Sequence, residues 1–449
     1  MAFCSRAAVR DSAGLSSLPD RLLSRHGLVL GGILLVAAGV LGSAIYVHPL
    51  TPDNLEAMSV GPLHHNPWDY FSGGAHTAHR PFYRPVAELA LWLQYHVLGL
   101  DPHTYFAVNI GLWVLCAWAL YAYVWAATES RVLGAAAALA TLLDGRAILA
   151  TLWILERQSS IAFLCGSGAL LLVLVPLRRR PLAVSIGLLL LVAALAKEYG
   201  LAFVVAVPLL AWLRRLRDWP WVAAAGGAAL ALYVILRFGV AGGASGRFCD
   251  EMGYFRSTRT VCYSDYASFD HLHQKLWNAF ASLVGTYLPP LFDPFGTLAS
   301  PSARSLVVPA IVTLAAVVGY VKRPRWALPL LALAVLNAAL NFVLFRTRNQ
   351  LIGIGAVYAA AAIGLHWLYL HTVPRAGRYA VVAATAGALL VVGWLALQGA
   401  LRPRTVQTFE RNAAASNACD AARRFTREID RSVVRRLKDR YGLPNPDCR

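Results

Sequence analysis

LVLGGILLVAAGVLGSAIYV, residues 28–47, is a run of twenty residues without a charged side chain. At about 1.5 Å of rise per residue a helix of that length crosses the roughly 30 Å hydrocarbon layer of a bilayer. Arg6, Arg10, Arg21 and Arg25 precede it. A cleaved secretory leader has a shorter apolar core and a small-residue cleavage site, so the run reads as a retained first helix. The rest of the chain repeats the theme: 58% of its 449 residues are hydrophobic, 14% are charged, and the mean hydropathy is +0.53. A soluble protein of this size has no use for so much apolar surface, and the fold class expected is an all-α polytopic membrane protein.

The formal charge of +18 invites a nucleic-acid reading. The arginines argue against it, because they cluster at the ends of apolar runs, as positive-inside orientation produces. The N-terminal arginines place residue 1 in the cytoplasm, and the first helix then delivers the next stretch outside. That stretch, 46–98, reads YVHPLTPDNLEAMSVGPLHHNPWDYFSGGAHTAHRPFYRPVAELALWLQYHVL. It is the richest polar, histidine-bearing and aromatic segment of the chain, and loops of this kind carry function on a rigid scaffold.

Further apolar runs lie at about 103–127, 132–143, 159–175, 181–196, 200–213, 221–238, 305–321, 327–345, 351–371 and 379–401. Runs 86–100 and 276–295 are short or broken by proline. If both lie along the interface or re-enter, about eleven spans remain and the strong basic clusters all face the cytoplasm. An external loop at 48–86, a polar external segment at 241–275 and a small helical external cap at 402–449 then surround a membrane domain of residues 1–401. Cys249 and Cys262 fall in one external segment, and Cys419 and Cys448 in the other. Even pairing within each segment fits two local disulfides in an oxidising compartment, with free surface thiols as the alternative.

A charge at or inside a membrane is costly and therefore a functional candidate. Those assigned to the outer side are Asp53, Glu56, Arg84, Glu88, Asp144, Arg146, Glu156, Arg157, Lys197, Glu198, Arg237, Arg346 and Arg348. Cations converging with carboxylates on one face suit an anionic lipid headgroup beside a general base. The plainer readings are that Arg84 snorkels from an interfacial helix, and that Glu156-Arg157 and Lys197-Glu198 are structural ion pairs. His64, His65, His76 and His79 lack the spacing of a helical zinc pair and have no cysteine beside them. No metal is expected there. Trp68, Tyr70 and Phe71 read as interfacial anchors. No nucleotide-binding glycine motif is present, which argues against a nucleotide-sugar donor.

Five segments in order carry a family resemblance: FYRPVAELALWLQYHVLGLDPHTYFAVNIGLW (82–113), TLWILERQSSIAFL (151–164), LAKEYGLAF (195–203), LYVILRFGVAGG (232–243) and FRTRNQLIGIGAVYAA (345–360). Together they resemble the polyprenol-dependent membrane glycosyltransferases of the GT-C superfamily, in particular the TMTC and protein O-mannosyltransferase-like branch and its bacterial relatives. The resemblance implies transfer of a sugar from a polyprenyl phosphate or pyrophosphate at the exocytoplasmic face, with no cofactor. It also implies a catalytic carboxylate in the first external loop, which gives Asp53 as general base and Glu56 as second candidate. Family members carry an acidic pair there, whereas this chain has Pro52-Asp53-Asn54. The family's His-Pro before its arginine segment is also replaced, by Asp144-Gly145.

By the same match Lys197 and Arg348 hold the lipid phosphate, with Arg157 and Arg237 next, while Arg84, Glu88, Glu156 and Glu198 support the site and Glu198 orients Lys197. The expectation is an inverting glycosyltransferase acting on an envelope glycan, lipid or protein. The alanine-, leucine- and arginine-rich composition suggests a bacterial inner membrane. A transporter or flippase of a polyprenyl-linked glycan and a non-catalytic GT-C relative are the rivals. A transporter would need polar residues deep within its spans.

Overall fold

The computed structural model describes residues 18–47, 54, 57–58, 60, 66–72, 83–175, 179–240, 272–288, 291, 303–341 and 350–376. Every regular element among them is helical. The helices are α1 (Leu18–Val47), α2 (Pro85–Leu98), α3 (Pro102–Thr128), α4 (Arg131–Leu143), α5 (Gly145–Thr151), α6 (Arg157–Leu172), α7 (Arg179–Ala196), α8 (Leu201–Leu213), α9 (Trp219–Val234), α10 (Leu272–Tyr287), α11 (Ala303–Lys322), α12 (Pro324–Leu340) and α13 (Leu351–Ala376). Among the described residues, four stretches are long and apolar enough to cross a membrane: Pro102–Thr128, Trp219–Val240, Ser305–Lys322 and Leu351–Thr372. The protein is an all-α membrane protein.

Local chemistry sets the boundaries. Asp101 caps α3 by accepting a hydrogen bond from the His103 amide at 3.1 Å, and Pro102 follows at the first helical position. Ser130 caps α4 in the same way through the Leu133 amide at 3.3 Å. α1 starts ten residues before the apolar run and takes Arg21 and Arg25 into its first turns. α2 has only 14 residues and exposes Leu93, Val97 and Leu98. That is too short to cross a hydrocarbon layer of about 30 Å upright.

The core is apolar, as in a soluble bundle, but much of the outside is apolar too. α13 is the central helix, with 72% of its apolar window buried against 22% for α9 and α11. It lies against α3, α4, α11 and α12, while α3 also touches α1 and α6, and α7 bridges α6 to α9. Val307, Ile311, Leu314 and Val321 form an outward apolar stripe on α11 at helical spacing. Val184 and Leu188 do the same on α7. Such stripes are stable against hydrocarbon and costly against water.

Candidate functional site

The polar centre is built from two short turns that interrupt apolar helices. The first, Ile154–Glu156, is a single 3-10 turn leading into α6. The second, Glu198–Gly200, joins α7 to α8. Gly200 is required there, because a Cβ at that position would overlap the backbone of Ala193 and Ala194. This close approach lets consecutive residues of the turn send side chains in three directions.

Lys197 goes to the first turn. Its ammonium donates to Glu156 Oε2 at 2.6 Å and to Ser159 Oγ at 2.8 Å, and Ser159 in turn donates to Glu156 Oε2 at 2.6 Å. Glu198 goes to Arg84: Nε and Nη2 donate to its Oε2 at 3.0 and 2.8 Å. Arg84 Nη1 also donates to Gln158 Oε1 at 2.9 Å. Arg237 approaches Glu198 Oε1 at 3.7 Å, a charge contact rather than a hydrogen bond, and donates to Tyr233 at 2.5 Å. Tyr199 donates to Asn341 Oδ1 at 2.6 Å, buried in the bundle.

Two expectations about pairing are corrected by this geometry. Glu198 does not orient Lys197: Glu156 and Ser159 do, and Glu198 serves the two arginines. The adjacent acid–base pairs are not paired with themselves either. Glu156 takes Lys197, and Arg157 turns the other way to donate from Nε to Asn109 Oδ1 at 2.8 Å and from Nη2 to the Tyr105 carbonyl at 3.2 Å. Its guanidinium also lies 5.5 Å from the centre of the Tyr105 ring. Successive helical residues project about 100° apart, so neighbours in sequence face different partners.

Electrostatics separate these cations. Burial lowers the Lys197 pKa to about 8, with Glu156 pulling the other way. Burial works against the charge of Arg84 as well, but Glu198 more than offsets it and the pKa is raised. Arg157 is 2% exposed and has no carboxylate partner among the described residues, and burial lowers its pKa to about 10. Among the described groups that meet here, Arg84, Arg157, Lys197 and Arg237 face only Glu156 and Glu198. Among the described side chains here the cations outnumber the carboxylates, and Arg157 is the buried one that meets no described carboxylate.

Described residues of the segment between α1 and α2 are fastened to the same place. Asn54, fully buried, accepts from the Ile154 amide at 2.7 Å and donates to the Leu152 carbonyl at 3.5 Å. Ala57, Met58, Val60 and Tyr70 pack with Leu91, Tyr105, Phe106 and Ile154 in one apolar cluster. Burial raises the phenol pKa values of Tyr70 and Tyr83, and the charge of Glu88, one turn into α2, adds to both.

A second buried network continues from Tyr199. Asn341 Nδ2 donates to Ser282 Oγ at 3.1 Å, and Gln350 Nε2 to the Ser282 carbonyl at 2.8 Å. Arg146 Nη1 reaches the Gly285 carbonyl at 2.7 Å and Gln350 Oε1 at 3.3 Å. Arg146 and Asp144 form a two-bond pair at 2.9 and 2.7 Å, and Tyr358 donates to Asp144 Oδ2 at 3.0 Å. Among the described residues of this network one arginine meets one carboxylate.

Asp53, Glu56, Arg346, Arg348, the four loop histidines and Cys249, Cys262, Cys419 and Cys448 lie outside the described residues. Sequence reasoning weighed charged side chains and so missed Asn54, Asn109, Gln158, Ser159 and Tyr105. The available signal was the presence of uncharged polar residues in otherwise apolar runs. No protein-family model, no curated protein and no solved structure matches the chain.

Proposed function

We propose that the protein is a membrane glycosyltransferase of GT-C type that moves a sugar from a polyprenyl-phosphate carrier to an envelope glycan, lipid or protein. In this reading about eleven helices span a bacterial inner membrane, with the N-terminus cytoplasmic and the charged centre at the periplasmic face. The observation that carries it is Arg157, buried and without a carboxylate among the described residues. An uncompensated charge of that kind is costly to keep unless a ligand supplies the counter-charge.

The proposed chemistry needs that charge. Asp53 takes the proton from the acceptor hydroxyl as its oxygen attacks the anomeric carbon from the face opposite the phosphate. The bond from that carbon to the phosphate oxygen breaks, and its electron pair leaves with the polyprenyl phosphate. The donor is a phosphodiester with one negative charge, whereas the released monoester approaches two at neutral pH, with a second pKa of about 6. Cations held in a water-poor site stabilise the charge that develops. Arg157 is suited to a forked contact with phosphate and Lys197 to a point charge. Asn54, next in sequence to Asp53, accepts from the Ile154 amide two residues before Glu156, which supports this reading.

The test compares wild type with Asp53→Asn in membranes of a host lacking the gene, with mass spectrometry of envelope glycans and lipid-linked sugars. A sugar-sized increment made by wild type and absent from an equally expressed Asn variant is the expected result. Full activity in the variant would move the base to Glu56 or Asp69. No increment, but a lipid-linked sugar shifted between membrane faces, would replace this reading with the transporter.

A further inference from the structure

The far end of α8 from Lys197 carries a second basic site of different construction. α8 stops in a turn where the Arg215 amide donates to the Trp212 carbonyl at 2.8 Å and the Leu216 amide to the Ala211 carbonyl at 3.0 Å. This pair of bonds is the Schellman termination, whose reversal residue sits in the left-handed region and is usually glycine. Here it is Arg215, at φ 55°. An L side chain adopts that backbone at a cost, so the arginine is held where glycine would be easier.

The turn packs Leu216 against the core and leaves Arg215 and Arg217, on either side of it, exposed. Arg214 is already engaged, with its guanidinium 4.3 Å from the centre of the Trp326 ring. Among the described residues, the side chains of Arg215 and Arg217 have no hydrogen bond, ion pair or ring contact. With Trp212, Leu216 and Trp219 they line an open cavity of about 320 Å³. Trp212, Trp219 and Trp221 are all largely exposed beside it. Exposed indoles at a helix end mark the headgroup level of a bilayer.

We infer that this cavity is a headgroup site for an anionic phospholipid of the leaflet at that face. Two unpaired guanidiniums a residue apart supply the charge for one phosphodiester, and the flanking indoles suit the glycerol and upper acyl region. A free inorganic anion would use the arginines but not the indoles. Basic pockets between membrane helices take acidic lipids in this way. The inference stands on the α8 end alone and does not rest on the glycosyl-transfer reading.

The experiment uses the full chain in nanodiscs of phosphatidylcholine containing a graded fraction of phosphatidylglycerol, with retained lipid counted by native mass spectrometry. Arg215→Gly relieves the backbone, so the variant unfolds at the same or a higher temperature than wild type. Wild type is expected to retain phosphatidylglycerol over phosphatidylcholine, and Arg215→Gly and Arg217→Gln each to weaken retention roughly fivefold. Retention unchanged in the double variant, or no preference in wild type, would overturn the site. Displacement by inorganic phosphate at the lipid's own concentration would overturn the lipid as its source.

Discussion

Arg84 and Glu198 stand 114 residues apart and meet through two hydrogen bonds to one carboxylate oxygen, at 3.0 and 2.8 Å. The pair ties the start of α2 to the turn between α7 and α8. Their side chains are 12% and 17% exposed, and leaving one partner of a part-buried pair unsatisfied costs about 1–3 kcal/mol. Glu198→Gln and Arg84→Gln are each expected to lower the thermal unfolding midpoint of the detergent-solubilised protein. The double variant should recover part of the loss, because the Arg84 and Glu198 charges then leave together and only Arg237 loses a contact. Additive losses would mean that the two residues do not act as a pair.

Lys197 gives the proposed site its pH dependence. Burial brings its folded-state pKa from 10.5 to about 8, so its charge is present below that value and lost above it. Binding of polyprenyl phosphate is expected to fall several-fold from about pH 7 to about pH 9, the loss of one charged contact, below the range in which Arg157, at about 10, loses its own charge. Lys197→Arg should remove this alkaline limb. Stability runs the other way: between about 8 and 10.5 the unfolded chain holds the proton more tightly, so this group's contribution to stability rises with pH. A flat binding profile would remove Lys197 from the phosphate contacts.

α11 and α13 meet through small residues. A Cβ on Gly364 would overlap the Ala315 carbonyl, and one on Gly319 the Ala360 carbonyl. Ala315 and Gly319 on one helix, and Ala360 and Gly364 on the other, each repeat at four-residue spacing, the pattern that lets membrane helices approach backbone to backbone. Gly364→Ala should destabilise by about 1–3 kcal/mol through overpacking, and Gly364→Leu by more. Gly111 on α3 has open space around it, so Gly111→Ala serves as the control and should change little. Equal behaviour of the two alanine variants would refute the close packing.

The helices were legible because their signal is length and hydropathy. The run at 103–127 became Pro102–Thr128, and the break at Lys197-Glu198 became a 3-10 turn. That Arg84, Glu156, Lys197, Glu198 and Arg237 gather was legible from the cost of charge in a membrane. Their partners were not, because pairing depends on side-chain direction at a turn, where one residue's shift in register swaps Glu156 from Arg157 to Lys197. Asn54, Asn109 and Ser159 gave no charge to notice, yet they satisfy the cations and fix the loop. An uncharged polar side chain in an apolar run says that something is bonded there without saying what.

Arg157 separates function from stability most cleanly. It is 2% exposed and lacks a carboxylate among the described residues. Its cation is held by the Asn109 oxygen, the Tyr105 carbonyl and the face of the Tyr105 ring. A protein selected for stability alone would replace such a group, since apolar residues of similar volume are neutral or better in buried ionic positions. Arg157→Met is therefore expected to shift the unfolding midpoint by only a few degrees. Under the proposed function it should lower sugar transfer by about 10²–10³-fold, the loss seen when a donor that stabilises developing charge is removed. Arg157→Lys keeps the charge but not the fork that binds Asn109 and phosphate together, so it should restore transfer only in part. Unfolding midpoints and single-turnover transfer on the same membrane preparations decide the matter. A variant that unfolds early and loses transfer in proportion would make Arg157 a structural residue. One that keeps both would leave this buried charge without a function.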